Sequence, residues 1–308
     1  MTRRWIHLAV AAATLAVLVW RLGAGPFLDG LRAVDGWALA AASGLAVLTT
    51  VCCAWRWRVV ARGLGVDLPL GTAVASCYRS LFLNVTLPGG VVGDVHRGFS
   101  HGRDTSDVGR GLRAVAWERS AGQVVQVVLT VAVLLVLPSP VHAVMPLAAL
   151  ALVAVAACVA LAARSRPAAG RSGWARLRRA AASDLRDGVL AQRAWPAVAL
   201  ASALIVAGHA ATFVIAARSA GATAPLSELL PLTLLVLLAA ALPNVGGWGP
   251  REGVTAWTFA AAGLGASLGV TTAVVYGVMV LVASLPGAAV LVAAELRVPA
   301  RLQGVPDV

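Results

Sequence analysis

Long runs of uncharged residues constrain this sequence more than any other feature. Three of them, Gly36 to Trp55, Ala194 to Ala217 and Leu229 to Pro250, reach the roughly 20 residues that a helix needs to cross about 30 Å of hydrocarbon. Two longer runs, Ser120 to Ala163 and Gly253 to Ala294, have room for about two passes each. Lipid offers the backbone no hydrogen bonds, so these runs must be helical, and they lack the alternation of a membrane barrel. The sequence, with only 12% charged residues, therefore predicts an all-α polytopic membrane protein.

The formal net charge of +12 is concentrated in three segments. These are the N-terminus, residues 55–119 and residues 164–193, whereas the other connections balance acids against arginines. Positive residues in short loops stay on the cytoplasmic side of a membrane protein. We therefore expect the three segments and both termini to face the cytoplasm of a bacterial inner membrane. A nucleic-acid-binding protein would instead gather its charge on one surface patch, so no nucleic-acid partner is predicted.

A break within residues 71–93 decides how the chain threads the membrane. A full crossing here would place the arginine-rich segment 97–119 and the basic loop 164–193 outside. A re-entrant hairpin with its break at residues 84–97 avoids both violations. Irregular backbone at that depth is tolerated only when it is buried in protein or lines a wet cavity. With a retained first helix at about 5–21 rather than a cleaved signal peptide, the sequence predicts about six full transmembrane helices and two broken re-entrant hairpins.

The second break, at residues 242–252, is similar to the first. Each contains Leu-Pro, clustered glycines, a nearby Asn, and an acid with an Arg within ten residues. Such interruptions in corresponding positions of two halves are typical of inverted repeats with a midplane binding site. Chance recurrence in a chain rich in Ala, Gly and Val would give the same pattern. We expect a single transmembrane domain, 1–308, whose halves 1–163 and 194–308 are joined by a cytoplasmic basic loop at 164–193.

Ionisable residues at membrane depth indicate a functional or structural role, because burying each one costs roughly 2.5 to 3.5 kcal/mol at a helix centre. Arginine suits bidentate phosphate binding, and a half-helix that begins after a Pro-Gly break offers free N–H groups. Two interpretations fit: a site for a lipid phosphate, which we favour, or acid–arginine pairs that only hold the hairpins. The predicted lipid- or phosphate-binding residues are Asn84, Pro88, Gly89, Gly90, Gly93, Asp94, Arg97, Glu118, Arg119, Asn244, Gly246, Gly247, Gly249, Arg251 and Glu252.

Residues for catalysis are hard to find. The sequence contains no P-loop, HExxH or GxSxG motif, its five histidines are scattered, and its four cysteines lack metal-ligand spacing. No catalytic residue, metal site or cofactor is predicted. An enzyme is accordingly less expected than a transporter.

Three motifs together carry a family resemblance. They are NVTLPGGVVGDVHR at 84–97, the pair Glu118-Arg119, and LPNVGGWGPREG at 242–253. In this order and spacing they resemble the lysylphosphatidylglycerol synthase transmembrane-domain family, also called flippase-like membrane proteins. The resemblance implies a lipid-handling membrane domain and adds Pro243 to the matching positions.

Two departures from the family pattern stand out. Relatives commonly carry an acid a few residues after Glu-Arg, where this chain has Ser120 to Gln123. The full synthases also append a soluble aminoacyl-transferase domain. We do not expect that domain here, because the sequence ends about 14 residues after its last predicted span.

Three functions are compatible with these features. In the favoured one, the hairpins bind an anionic phospholipid or a polyprenyl-phosphate-linked lipid and flip it between leaflets. Alternatively, the chain is a membrane subunit that presents a lipid-linked substrate to a separate glycosyl- or aminoacyl-transferase, or a scaffold without a ligand. The predicted partners are membrane lipids with an anionic headgroup and, under the alternative, the transferase. The sequence does not predict the oligomeric state.

The predicted site has a geometric consequence. We expect the two breaks to meet within about 20 Å, roughly two helix diameters, because one polar cavity would then satisfy the backbone groups that both breaks leave free. Arg97→Ala and Arg251→Ala are expected to abolish lipid binding in a folded protein. A loss of thermal stability would instead identify either arginine as half of a structural ion pair.

Overall fold

The structure, a computed structural model, describes residue 16 and residues 19–87, 90–164, 179–189, 191, 194–241 and 249–302. These residues form helices joined by turns and bends and include no strand. The helices are α1 (Gly25–Arg32), α2 (Gly36–Gly63), α3 (Leu70–Thr86), α4 (Val92–Asp104), α5 (Val108–Val136), α6 (Met145–Arg164), α7 (Trp195–Ser219), α8 (Leu226–Ala240), α9 (Pro250–Ala261) and α10 (Ala266–Leu302).

Five segments are long and apolar enough to cross a membrane. They are Gly36–Gly63, Val108–Val136, His142–Leu161, Trp195–Ser219 and Ala266–Ala293. The prediction of an all-helical membrane protein is therefore confirmed, and five of the six predicted full spans correspond to these segments. The sixth, at about 5–21, falls almost entirely outside the described residues.

Aspartate caps set the start of two long helices. Asp35 accepts a hydrogen bond from the backbone N–H of Ala38 at 2.5 Å, and Asp107 accepts one from that of Arg110 at 2.8 Å. A cap of this kind satisfies N–H groups that a helix start leaves free. As a result α5 begins at Val108, well before the uncharged run that starts at Ser120, and carries the Glu118-Arg119 pair within the helix.

Four shorter helices flank the two breaks. α3 and α4, before and after the first break, contain 17 and 13 residues, and α8 and α9, around the second, contain 15 and 12. At 1.5 Å per residue even the longest measures about 26 Å, less than the roughly 30 Å of a hydrocarbon core. α3 packs against α4, and α8 against α9. Each break is thus flanked by two arms that are shorter than the hydrocarbon core and that contact each other.

Helix contacts follow the same order in both halves. The second arm of each hairpin packs against the long helix that follows it, α4 on α5 and α9 on α10. The long helices that precede the hairpins, α2 and α7, pack against each other. α10 also lies close to α3, where a Cβ at Gly287 would overlap the carbonyl oxygen of Tyr78. These contacts place both hairpins beside the α2–α7 pair.

One contact fixes part of the basic loop relative to the bundle. Asp184 accepts a hydrogen bond from Arg113 Nε at 2.7 Å and another from the indole N–H of Trp117 at 3.3 Å. Nearby, Val189 packs with Val60 and Val198. The segment 179–189 and the start of α5 therefore lie at the same end of the bundle, as the charge distribution predicts.

Candidate functional site

Glu118 lies at the centre of a buried ionic cluster. α5 holds its carboxylate with 0% exposure. The carboxylate accepts hydrogen bonds from Arg56 Nε at 2.8 Å and from Arg97 Nη2 at 2.8 Å, with a further contact from Arg56 Nη2. A fully buried charge is tolerated only when it is paired and hydrogen-bonded. Glu118 thus ties α2, α4 and α5 together.

Arg97 is enclosed on every side. Its Nη2 group also donates to Asp94 at 3.1 Å, and Nη1 donates to Cys77 Sγ at 3.2 Å. Its guanidinium lies 4.6 Å from the centroid of the Trp57 ring, a distance typical of a cation–π contact. Arg97 therefore connects the first hairpin to α2 and α5, and its charge is already compensated.

A hydrogen-bonded clamp joins the arms of the first hairpin. Asp94, in the first turn of α4, accepts hydrogen bonds from Asn84 Nδ2 at 2.9 Å and from the Ser80 hydroxyl at 3.0 Å. Asn84 Oδ1 in turn accepts from the backbone N–H of Gly93 at 2.8 Å. The arms approach so closely that a Cβ at Gly93 would overlap the carbonyl oxygen of Ser80. The predicted residues Asn84, Gly93 and Asp94 thus form one unit.

Gly93→Ala is therefore expected to lower the free energy of unfolding by about 1–3 kcal/mol, the usual cost of forcing an extra carbon into a packed interior. Thermal unfolding of the purified protein in detergent measures this change. Gly71→Ala is the matched control, because a Cβ at this helical position in α3 meets nothing within 4 Å, so the change should be neutral or slightly stabilising. Equal stability of the two variants would contradict the close approach of α3 and α4.

Arg119 is the most accessible charge of the cluster. Its Nε lies 3.4 Å from Asp94 Oδ2, and 43% of its side chain is exposed. Arg56, by contrast, is buried and donates to the Ser202 hydroxyl of α7 at 2.9 Å. Three arginines face two carboxylates in the cluster, which gives it a net charge of +1. This surplus of positive charge suits an anionic ligand.

Two cavities meet at this cluster. The smaller, about 140 Å³, is bordered by Asn84 and Asp94 of the first hairpin. The larger, about 230 Å³, lies among α5, α7, α8 and α10 and is bordered by Ala241, the last described residue before the second break. The residues that line both cavities are Arg56, Arg119, Ile205 and His209. The flanks of the two breaks therefore border two adjacent cavities that share these four lining residues.

A second acid–arginine pair lies at the start of α9. Glu252, fully buried, accepts hydrogen bonds from Arg251 Nε at 2.9 Å and from the backbone N–H of Gly249 at 2.6 Å. Gly249 has a φ of +120°, which glycine adopts without strain. The Arg251 guanidinium lies 5.2 Å from the ring of Tyr276, which lines the larger cavity. Glu252 is the third residue of α9 as Asp94 is of α4.

A comparison with known protein families shows which family the chain belongs to. A family model described as the lysylphosphatidylglycerol synthase TM region matches residues 4–287. The chain belongs to this family. No curated protein matches it. Membership and the long apolar helices together establish a multi-pass membrane protein of a lipid-related family.

The structure brings together most of the predicted site residues that it describes. In this member of the lysylphosphatidylglycerol synthase TM family, the predicted residues of the first break contact Glu118 through Arg97. Those of the second break, Gly249 to Glu252, contact Tyr276 through Arg251. Gly90 follows the first break with a φ of +65°. The predicted residues that lie outside the described part of the chain are Pro88, Gly89, Asn244, Gly246 and Gly247.

Several residues at the cavities were not predicted as site residues. They are Arg56, Gln123, Gln126, Ser202, His209 and Tyr276. Arg56 stands directly after an uncharged run, and the charge distribution assigned it to the positive segment 55–119. Gly122 follows the Glu118-Arg119 pair by one turn of α5, and a Cβ at this position would overlap Arg56 Nη1. That glycine makes room for the arginine.

Proposed function

We propose that this chain binds the anionic headgroup of a phospholipid or a polyprenyl-phosphate-linked lipid beside Arg119 and translocates it between leaflets. One observation carries the proposal: the cluster holds three arginines against two carboxylates, and Arg119, its most exposed charge, lines both adjacent cavities. Membership in a lipid-related membrane family supports the same substrate class.

Electrostatics favour an anion in this space. Opposite unit charges 4 Å apart gain about 1 kcal/mol in water and roughly 4 kcal/mol at the effective dielectric constant of a partly buried pair. Arg119 shares Asp94 with Arg97, so its own charge is only partly compensated. The polar side chains of Gln123, Gln126 and His209 also line the larger cavity. They offer hydrogen bonds to headgroup oxygens without adding negative charge.

Arms shorter than the hydrocarbon core support re-entrant insertion of both hairpins. In this proposal the first hairpin, with its break at 84–97, enters from the cytoplasm, and the second, with its break at 242–252, enters from outside. The repeated contact order of the helices supports an inverted repeat of 1–163 and 194–308 within one domain, 1–308. Opposite hairpins that border one space would let a headgroup reach it from either leaflet, as alternating access requires.

Cysteine accessibility tests this orientation. On a background without the four natural cysteines, a cysteine at position 139, between α5 and α6, should react with an impermeant thiol reagent in intact cells. A cysteine at position 172, in the basic loop 164–193, should react only after the membrane is opened. Labelling of position 172 from outside intact cells would reverse the proposed topology.

Mass spectrometry of lipids that copurify with the wild-type protein tests the proposed ligand. We expect an anionic phospholipid or a polyprenyl phosphate to be enriched over its fraction in the membrane of origin. An unrelated polytopic protein purified in the same detergent is the control. Recovery of lipids in the proportions of the bulk membrane would count against a headgroup site.

A further inference from the structure

The larger central cavity has three polar residues of α5 on one wall. Arg119, Gln123 and Gln126 all line it, and their spacing along the helix places them on one face. At 1.5 Å per residue, the two amides follow Arg119 by about 6 Å and about 10 Å along α5. A headgroup that extends from Arg119 along this wall therefore meets Gln123 first and Gln126 next.

Both amides are available for hydrogen bonding. Gln123 and Gln126 are partly exposed, and neither side chain has a hydrogen-bond partner among the described residues. Polar side chains inside a membrane span usually face a cavity and mark a substrate path. An amide donates from its nitrogen and accepts at its oxygen, and a hydroxyl group likewise does both. The pair of amides therefore suits a headgroup that carries hydroxyls.

The same cavity disfavours an ammonium group. None of its described lining residues is an acid, and residues 242–248, which follow its lining residue Ala241 in the sequence, contain no acid either. The two acids of the ionic cluster, Glu118 and Asp94, are already paired with its three arginines. An ammonium group would therefore meet a net positive charge, and like charges brought together weaken binding strongly.

We propose that the central site selects a phosphate ester whose alcohol carries further hydroxyl groups, such as glycerol or a sugar, over headgroups that carry an amine. Gln123 and Gln126 determine this specificity, because their amides bond to the hydroxyls beyond the phosphate that Arg119 binds. The inference rests on the proposed function and narrows its anionic headgroup to a polyol.

Three phospholipids with identical acyl chains test the two parts of the proposal by native mass spectrometry of the purified protein. Phosphatidylglycerol is an anion with free hydroxyls, phosphatidylethanol has the same charge without a hydroxyl, and phosphatidylethanolamine adds an ammonium group. We expect phosphatidylglycerol to bind at least about fivefold more tightly than phosphatidylethanol, the ratio that one or two net hydrogen bonds give. Phosphatidylethanolamine should bind at least about tenfold more weakly than phosphatidylethanol.

A double variant connects the preference to the amides. Gln123→Leu combined with Gln126→Leu replaces both amides with apolar side chains of similar size. The ratio of phosphatidylglycerol to phosphatidylethanol binding should then fall close to one, because phosphatidylglycerol loses its extra hydrogen bonds. Val124→Leu is the matched control on the same helix, since Val124 is 58% exposed and does not line the cavity. It should keep the wild-type ratio.

A polyprenyl phosphoryl hexose, titrated beside phosphatidylglycerol, identifies the carrier of the polyol. Tighter binding of the hexose lipid supports a polyprenyl-linked sugar, and tighter binding of phosphatidylglycerol supports a glycerophospholipid; both belong to the proposed class.

Three results would overturn the proposal. They are equal binding of phosphatidylglycerol and phosphatidylethanol by the wild type, an unchanged ratio in the double variant, and binding of phosphatidylethanolamine as tight as that of phosphatidylethanol. Failure of the proposed function gives a different result, because Arg119→Met would then bind both anionic lipids as the wild type does.

Discussion

Glu118→Gln is expected to lower the free energy of unfolding by about 3–5 kcal/mol, the usual cost of removing one partner from a buried ion pair. The expected loss is at the upper end because one carboxylate serves two arginines from two helices, Arg56 and Arg97. Without it, both guanidinium groups keep their desolvation penalty and lose their main counter-charge. Chemical or thermal unfolding in detergent, followed by circular dichroism, measures the effect.

The matched control is Glu228→Gln, which changes the same chemical group on an exposed residue in the first turn of α8. Exposed substitutions away from special features usually alter stability by less than about 0.5 kcal/mol. If Glu118→Gln unfolded as the control does, the ionic cluster would not contribute to the fold as described.

Arg119→Met is expected to weaken binding of anionic lipid at least about tenfold while the protein remains folded. The arginine is half-exposed and makes one long contact with Asp94, so its loss should cost no more stability than a surface salt bridge, about 1 kcal/mol or less. In the proposed function its guanidinium is the charge that binds the headgroup, because it is the most exposed charge that lines the cavities. Native mass spectrometry of the purified variant, titrated with phosphatidylglycerol, measures the change.

Arg62→Met is the control for Arg119→Met, because Arg62 is also an exposed arginine, 54% accessible, that pairs with an aspartate. Its removal should leave lipid binding unchanged. Equal binding by wild type and Arg119→Met would remove Arg119 from the site. By contrast, Arg97→Ala and Arg251→Ala are now expected to lose thermal stability, since each arginine is enclosed and paired with a buried acid.

The helices were largely predictable from the sequence because uncharged length alone determines which segments can cross lipid. The ends of the helices were not. Counting uncharged residues started the third predicted full span at Ser120, whereas α5 begins at Val108 behind its Asp107 cap. Helical hydrogen bonding continues past the hydrocarbon boundary, and charge marks that boundary rather than the end of the helix.

Four residues of the ionic cluster, Asp94, Arg97, Glu118 and Arg119, could be singled out from the sequence, but most of their partners could not. Asp94 and Arg97 are three residues apart on one helix, so their pairing follows from helical spacing. The pairing of Glu118 with Arg56 and Arg97 depends on which helices are neighbours, and periodicity identifies faces rather than neighbours. His209, one of the five scattered histidines, was not predicted as a site residue for the same reason, yet it lines both cavities.

Movement of headgroups across liposomes that contain only this protein tests the central claim most directly. We expect labelled phosphatidylglycerol in the inner leaflet to become accessible to an impermeant quencher faster than in protein-free liposomes. The acceleration should persist in Arg62→Met and disappear in Arg119→Met. Lipid movement no faster than in protein-free liposomes, or equal acceleration by wild type and Arg119→Met, would contradict translocation through the cavities beside Arg119.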